Sequence, residues 1–150
     1  MKKIIYLAVM LISLSATAAV TPTEISEKVL KAFKETFSFA ENVTWEEVDN
    51  TSQASFKQSE IVVKATYDNE GNLLKTIRYY AQDNLPPNIL AKLKKKYTGK
   101  EIFGVTELTS EQEIVYSISL KDDKNWYTVK SDPYANLQQT EKFKRGEPKE

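Results

Sequence analysis

Apolar residues recur at steps of three and four in two stretches of the chain, which is the spacing of an amphipathic helix. The apolar positions of the first stretch are Ile25, Val29, Ala32, Phe33 and Phe37. Thr21-Pro22-Thr23-Glu24 offers an N-cap hydroxyl, a proline and a capping carboxylate, so we expect this helix to begin there. The second stretch follows Leu85-Pro86-Pro87, and its apolar positions are Ile89, Leu90, Leu93 and Tyr97.

Elsewhere apolar and polar residues alternate, as they do in strands that are buried on one face only. The alternation predicts four strands between Asn42 and Tyr80 and four more between Ile102 and Phe143. Residues that favour turns separate the strands, for example at Asp122-Asp123-Lys124-Asn125. The predicted order of elements is therefore a helix and four strands, followed by a second helix and four strands.

The two halves also correspond residue by residue, which indicates an internal repeat. At an offset of 60, Val29, Phe33 and Phe37 match Ile89, Leu93 and Tyr97, and at an offset of 64, Asp68, Asn72, Leu73 and Thr76 match Asp132, Asn136, Leu137 and Thr140. We interpret the halves as tandem repeats, the first at about 21–80 and the second at about 84–144. Gly71 corresponds to Ala135, so we expect the second turn to adopt a different backbone geometry.

An α+β fold follows from this order of elements. Each half is too small to bury both faces of its own strands, so the halves should form one antiparallel sheet with both helices on one face. The opposite face of the sheet would then be open to solvent. Since the chain has 150 residues and 41% hydrophobic content, residues 19–150 are predicted to form a single domain with enough apolar residues for a core of its own.

The N-terminal residues have the pattern of a secretory signal peptide. Two lysines follow Met1, the stretch from Ile4 to Leu14 is almost entirely apolar, and Ala16-Thr17-Ala18 fits a signal-peptidase site. We predict cleavage after Ala18, with Ala19 as a close alternative; a retained anchor is the other interpretation. A periplasmic or secreted protein without a membrane anchor is expected. A lipoprotein is excluded, because lipidation requires a cysteine.

The residue types that most enzymes and metal sites use are missing from the chain. The sequence contains no cysteine and no histidine, which excludes thiol nucleophiles, catalytic imidazoles and the usual zinc ligands. Glu46 and Glu47 are adjacent on a predicted strand, so their carboxylates point to opposite faces and cannot act on one substrate. We therefore predict a protein that is not an enzyme and that uses no cofactor and no metal ion.

The charge balance argues against polyanion binding. The chain has 21 Lys and Arg against 21 Asp and Glu, so no overall positive field attracts nucleic acid. Lysines are concentrated on the second helix, at Lys92, Lys94, Lys95 and Lys96. They fill the positions opposite its apolar stripe and have no interleaved aromatic residues, so we interpret them as a solvated face.

Side-chain alternation identifies a candidate interface on the open face of the sheet. If Val63 and Ala65 face the helices, the residues between them face outward. On the next strand we assign Leu73, Ile77 and Tyr79 to the inner face. The candidate interface combines residue types common at binding hot spots and consists of Val62, Lys64, Arg78, Tyr80, Trp126, Thr128 and Lys130. Two alternatives stay open: these side chains could cover one another, or the register could be shifted by one residue.

Several short motifs resemble those of the PepSY-like, β-lactamase-inhibitor-like proteins of the bacterial envelope, which are common in Bacteroidetes. The motifs are Asn42-Val43-Thr44-Trp45, Ala54-x-Phe56, Ala65-x-Tyr67-Asp68-x-x-Gly71-x-Leu73 and Leu85-Pro86. The resemblance implies a helix-plus-four-strand unit used twice and a concave sheet that grips a partner. It also implies that Asp49 stands roughly where an inhibitory loop carries a carboxylate, a turn residue being the alternative.

These observations predict a non-catalytic binding module that recognises an unidentified protein partner in the periplasm or outside the cell. Inhibition of an enzyme is one form that such binding takes. The alternatives are a binder of a small ligand or of a cell-envelope component, and a structural envelope protein. A protein partner requires an exposed apolar patch, a small ligand requires an enclosed pocket, and self-association requires an unprotected edge strand.

Overall fold

The computed structural model describes residues 25–146, which form one eight-stranded antiparallel sheet and two α-helices. The predicted signal peptide at 1–18, its cleavage site and residues 147–150 lie outside the described residues. Within 25–146, neither helix combines the length and the apolar character that a membrane span requires. The predicted α+β fold class and the single antiparallel sheet are confirmed.

Each half of the chain contributes one helix and four strands. In the first half, α1 (Glu27–Thr36) precedes β1 (Glu41–Val48), β2 (Thr51–Gln58), β3 (Ile61–Tyr67) and β4 (Leu73–Tyr80). A short 3₁₀ helix (Gln82–Asn84) leads to α2 (Pro87–Lys96), β5 (Glu101–Ser110), β6 (Ile114–Lys121), β7 (Asn125–Ser131) and β8 (Gln138–Lys144). The strands lie side by side in chain order, so β4 and β5 pair at the centre and β1 and β8 form the edges.

The first helix begins later than the sequence predicts. Ser26 is its N-cap: the Ser26 backbone is extended, and the hydroxyl accepts a hydrogen bond from the Val29 backbone N–H at 3.3 Å. The predicted start of the helix is therefore too early, because Ser26 caps it immediately before its first residue, Glu27. The predicted capping motif Thr21-Pro22-Thr23-Glu24 itself lies outside the described residues. The second helix starts at Pro87, where the fixed φ of proline suits the first helical turn.

Two hydrophobic clusters hold the helices against the sheet. In the first cluster, α1 buries Val29 and Phe33 against β2 and β3, and half-buried Trp45 packs edge-on against Phe33 with ring centroids 5.1 Å apart. In the second cluster, α2 buries Ile89 and Leu93 against β5, β6 and β7. A buried side chain of this size contributes about 1.5–3 kcal/mol to folding, so one apolar stripe on each helix suffices to hold it.

Both clusters lie on one face of the sheet. Val63 of the first cluster pairs with Arg78, and Tyr80 of the second cluster is two residues farther along β4. Residues paired across an antiparallel ladder point to the same face, and so do residues two apart on a strand. We call the side that the helices cover the helix face and the opposite side the open face.

The turns before β4 and β8 share one hydrogen-bond pattern. Asp68 Oδ1 accepts from the backbone N–H groups two and four residues later at 2.9 Å, and Asp132 Oδ1 accepts the equivalent pair at the same distance. The residue three after each aspartate has a positive φ, 89° at Gly71 and 62° at Ala135. The expectation of a different geometry at Ala135 is therefore wrong, because the aspartate bonds hold alanine in the left-handed region against a cost of about 1 kcal/mol.

The two turns differ in how closely a helix approaches them. A Cβ atom at Gly71 would lie 3.0 Å from the backbone oxygen of Lys28, so the first turn requires glycine for space as well as for its φ. Ala135 belongs to the second cluster, where its side chain is buried, and Asn88 of α2 donates a side-chain hydrogen bond to the Pro133 carbonyl at 2.8 Å. The second half therefore accommodates a methyl group where the first half cannot.

Candidate functional site

A β-bulge in the β3–β4 ladder decides which residues of β4 reach the open face. Thr66 pairs with Lys75, but the next residue, Tyr67, pairs with Leu73, so β4 has one extra residue at Leu74. An extra residue inverts the facing of every side chain that follows it. The register shift that the sequence left open as an alternative is thus present on this strand.

The bulge places Arg78 and Tyr80 on the helix face, so their assignment to the open face is wrong. Tyr80 is 7% exposed and belongs to the second hydrophobic cluster. Arg78 Nη1 lies 3.1 Å from Glu107 Oε1, and the Tyr80 hydroxyl donates to Glu107 Oε2 at 2.5 Å. Burial, followed by the contact with the Glu107 carboxylate, raises the pKa of Tyr80 well above its usual range. Ile77 and Tyr79, which the sequence assigned to the inner face, take the open face instead.

The open face has an apolar centre. Val62 pairs with Tyr79 and Ile77 pairs with Leu108, so their side chains are neighbours on three adjacent strands. We call this group the central apolar patch, and it consists of Val62, Ile77, Tyr79, Leu108 and Val115. Val62 and Tyr79 are each 39% exposed, which leaves apolar surface in contact with solvent. Of these five residues, the sequence prediction contained only Val62.

Lysines border the central apolar patch. Lys57 pairs with Val62 and Lys64 pairs with Ile77, while Lys130 of β7 pairs with Ser117. Lys75 lies on the same face near the bulge, where it pairs with Ser110. Glu41 lies opposite Lys57 in the ladder, so the positive charge beside the patch comes from Lys64, Lys75 and Lys130, whose ladder partners are uncharged.

Trp126 lies at one corner of the open face in a group of aromatic and basic side chains. Its ring packs edge-on against Phe103, with centroids 4.8 Å apart, and it pairs across the ladder with Phe143. Lys121 Nζ lies 5.9 Å from the Trp126 ring, and the Arg145 guanidinium lies 6.0 Å from it. Trp126 is consequently half-buried, and the most exposed ring of the group is Phe103. This agrees with the alternative in which open-face side chains partly cover one another.

The remaining predicted site residues differ in how available they are. The Thr128 hydroxyl donates to Glu141 Oε2 at 2.8 Å, so its polar group is already engaged. Lys130 is exposed. Asp49 is exposed in the β1–β2 turn and has a φ of 50°, which is typical of a turn residue at the edge of the sheet. Among residues 25–146, no group of three or more carboxylates is placed to hold a metal ion.

Comparison with solved structures relates this fold to proteins from Bacteroides. A BLIP-like protein from Bacteroides fragilis is 18% identical, with a TM-score of 0.63 over 89% of this chain and 93% of that chain. A DUF2874 family protein from Bacteroides ovatus is 18% identical, with a TM-score of 0.62 over 84% of this chain and 89% of that chain. A protein from Bacteroides eggerthii, provisionally described as periplasmic, is 12% identical, with a TM-score of 0.61 over 77% of this chain and 87% of that chain.

These likenesses concern the fold, because sequence identities this low carry no activity from one protein to another. The sequence matches no protein-family model, and no curated protein matches it. The resemblance to β-lactamase-inhibitor-like proteins, which the motifs predicted, is confirmed at the level of the fold. The PepSY-like part of that resemblance stays a prediction.

Proposed function

We propose that the protein is a periplasmic or secreted, non-catalytic module that binds another protein through the open face of its sheet. The observation that carries the proposal is the central apolar patch with its border of lysines, on a face that neither helix covers. An exposed apolar centre with a charged rim is typical of protein–protein interfaces. The fold likeness to a BLIP-like protein and to a provisionally periplasmic protein agrees with this role and location.

The proposed interface differs from the one that the sequence predicted. Tyr79 takes the place of Tyr80 as the central aromatic side chain, and its ring is partly exposed beside Val62. Aromatic side chains contribute strongly to binding because they bury a large area and lose few rotamers. Lys64 and Lys130 add positive charge, so the partner should present an apolar surface with acidic groups around it. Trp126 and Phe103 extend the interface toward the corner of the sheet.

A charge reversal with a matched control tests this proposal. The variant Lys64→Glu/Lys130→Glu places two carboxylates on the open face, and the control Lys94→Glu/Lys95→Glu makes the same change of charge on the exposed side of α2. Each protein is used to capture partners from a periplasmic extract, and the captured partner is then titrated against all three proteins. We expect the open-face variant to bind at least about tenfold more weakly than wild type, and the α2 variant to bind as wild type does.

Two results would contradict the proposal. In the first, every protein that the wild-type protein captures from the extract is also captured by the open-face variant. In the second, both double variants weaken binding equally, which would show that only the net charge of the chain matters and that the open face has no special part in recognition.

A further inference from the structure

The helix face contains a cleft at the end of the sheet where the β2–β3 turn meets the connection to α2. Its volume is about 370 Å³, and Ile61, which packs against both hydrophobic clusters, forms part of its floor together with Val63. Its polar lining comes from Gln58, Glu60 and Asn84 around the rim and from Arg78. Small-molecule sites commonly have volumes of roughly 300–1,000 Å³, so the cleft is large enough for a small ligand.

Arg78 is held in place by its neighbours but keeps most of its hydrogen-bonding capacity. Its guanidinium uses one N–H on Glu107 and lies 5.5 Å from the Tyr80 ring. The Tyr80 hydroxyl occupies the second Glu107 oxygen, so both oxygens of that carboxylate are engaged. The Arg78 side chain is 37% exposed, against 10% for Glu107, and its other N–H groups bond to no residue of 25–146. An oriented guanidinium with free donors is suited to a planar carboxylate.

Glu60 brings an opposite charge to the same cleft. It lies in the β2–β3 turn, its side chain is exposed, and within residues 25–146 it forms no ion pair. The side-chain amides of Gln58 and Asn84 likewise make no hydrogen bond to the part of the chain that the structure describes. The cleft therefore offers donors from Arg78, an acceptor with negative charge from Glu60, and two amides that can donate and accept.

The described part of the second half, up to residue 146, has no equivalent of this arrangement. At the offsets that relate the halves, Arg78 corresponds to Lys142 on the edge strand β8, and Glu107 corresponds to Glu47 on the edge strand β1. Lys142 and Glu47 lie on opposite edges of the sheet, whereas Arg78 and Glu107 are cross-strand partners because β4 pairs with β5 at its centre. The ion pair, and the cleft beside it, are thus particular to the seam between the halves.

We propose that this cleft binds a small zwitterion, such as a free amino acid or a short peptide, whose carboxylate is bound by Arg78 and whose ammonium group faces Glu60. A simple anion would meet Arg78, whose charge Glu107 already balances, and would be repelled by Glu60. A ligand that carries both charges matches both groups. The apolar floor at Ile61 and Val63 would contact its carbon skeleton. This inference is independent of the proposed open-face interface, because the cleft lies on the opposite side of the sheet.

The test is an NMR titration of the mature protein near neutral pH with four probes in the millimolar range. Glycine and Ala-Ala carry both charges, acetate carries only the negative charge, and ethylammonium carries only the positive charge. We expect glycine or Ala-Ala to shift the backbone amides of Ser59, Glu60 and Asn84, and neither single-charge probe to do so at the same concentrations. Tighter binding of glycine would indicate an amino acid as the natural type of ligand, and tighter binding of Ala-Ala would indicate a peptide.

Two variants make the result specific to the cleft. Glu60→Gln changes an exposed turn residue and should weaken the zwitterion by roughly tenfold without affecting the fold. The control Glu113→Gln removes an exposed carboxylate from the β5–β6 turn and should leave binding unchanged. Arg78→Lys keeps the charge but removes the planar fork, and should also weaken binding. The proposal is overturned if no probe shifts the cleft amides, if acetate binds as tightly as Ala-Ala, or if Glu60→Gln and Glu113→Gln have the same effect.

Discussion

The two hydrophobic clusters share one topology but differ in packing chemistry. In the first cluster, Phe33 is surrounded by four aromatic rings with centroids 5.1–6.5 Å away. At the equivalent position of α2, Leu93 belongs to a cluster in which aliphatic side chains such as Ile118 and Leu120 outnumber the three tyrosines. The helix ends are nevertheless the same, because the backbone N–H of each C-cap residue donates to the carbonyl four residues earlier. Phe37 donates to Phe33 and Tyr97 donates to Leu93, both at 2.8 Å. The periodicity of apolar positions thus determines the architecture, and either kind of side chain can fill it.

The largest expected effect comes from truncating the central residue of each cluster. Phe33→Ala removes a ring that contacts four others and should lower the free energy of unfolding by about 3–5 kcal/mol. Leu93→Ala at the matched position should cost about 2–4 kcal/mol, because a smaller side chain is lost from an equally buried site. Urea unfolding of both variants measures the difference. A cost below about 1 kcal/mol for Phe33→Ala would contradict the packing described for the first cluster.

The next expected effect separates the two aspartate turns. Gly71→Ala places a methyl group 3.0 Å from the Lys28 carbonyl at a φ of 89°, and should destabilise the protein by about 1–3 kcal/mol. Ala135→Gly relaxes a left-handed residue but removes a buried methyl group, so its net effect should be within about 1 kcal/mol of zero. Thermal unfolding compares the two. Equal losses would show that the approach of α1 to the first turn has no energetic consequence.

The comparison of the two halves also shows what could be predicted from the sequence. The helices and the eight strands follow from the period of the apolar residues, because most buried positions have an apolar residue at the expected step. The buried polar residues among those described are Ser52, Thr66, Glu107 and Ser131. The bulge in β4 could not be predicted, because Leu73 and Leu74 are both leucines and either can face the core. Without the bulge, simple alternation along β4 assigns Arg78 and Tyr80 to the open face, which is wrong. The start of α1 was misplaced for a similar reason, since two capping hydroxyls, at Thr21 and Ser26, precede the same apolar stripe.

Tyr67 of the first cluster and Tyr127, one of three buried tyrosines of the second, differ in the surroundings of their hydroxyl groups. The Tyr67 hydroxyl is buried and has no hydrogen bond of standard geometry within the described chain, because the hydroxyl of nearby Thr36 donates to the Ala32 carbonyl instead. The Tyr127 hydroxyl, in contrast, donates to Asp122 Oδ2 at 2.7 Å. Tyr67→Phe should therefore leave stability unchanged or raise it by up to about 1 kcal/mol, because it removes an unsatisfied polar group. Tyr127→Phe should lower stability by about 1 kcal/mol. Urea unfolding in parallel decides the matter, and a loss of stability in Tyr67→Phe that equals the loss in Tyr127→Phe would contradict this assignment.

The smallest expected effect is a dependence of stability on pH that the two halves share. Hydrogen bonds from Asn72 lower the pKa of Asp68 below its usual value, and those from Asn136 lower the pKa of Asp132. A carboxyl whose pKa is lower in the folded state stabilises the protein above the unfolded pKa and loses that contribution as pH falls through the folded value. Stability should therefore decrease from about pH 5 toward pH 2, and Asp68→Asn/Asp132→Asn should flatten this decrease. An unchanged slope of unfolding free energy against pH would contradict the role of these turns.

The central claim, that the open face binds a protein, is tested most directly at Tyr79. Tyr79→Ala removes a 39% exposed side chain from the central apolar patch, and Tyr134→Ala removes an 82% exposed tyrosine from the β7–β8 turn as a control. The measurement is the affinity of each variant for a partner captured by the wild-type protein, with the free energy of unfolding determined alongside. We expect Tyr79→Ala to weaken binding by about 2 kcal/mol with little change in stability, and Tyr134→Ala to bind as wild type does. Unchanged affinity in Tyr79→Ala would contradict the claim.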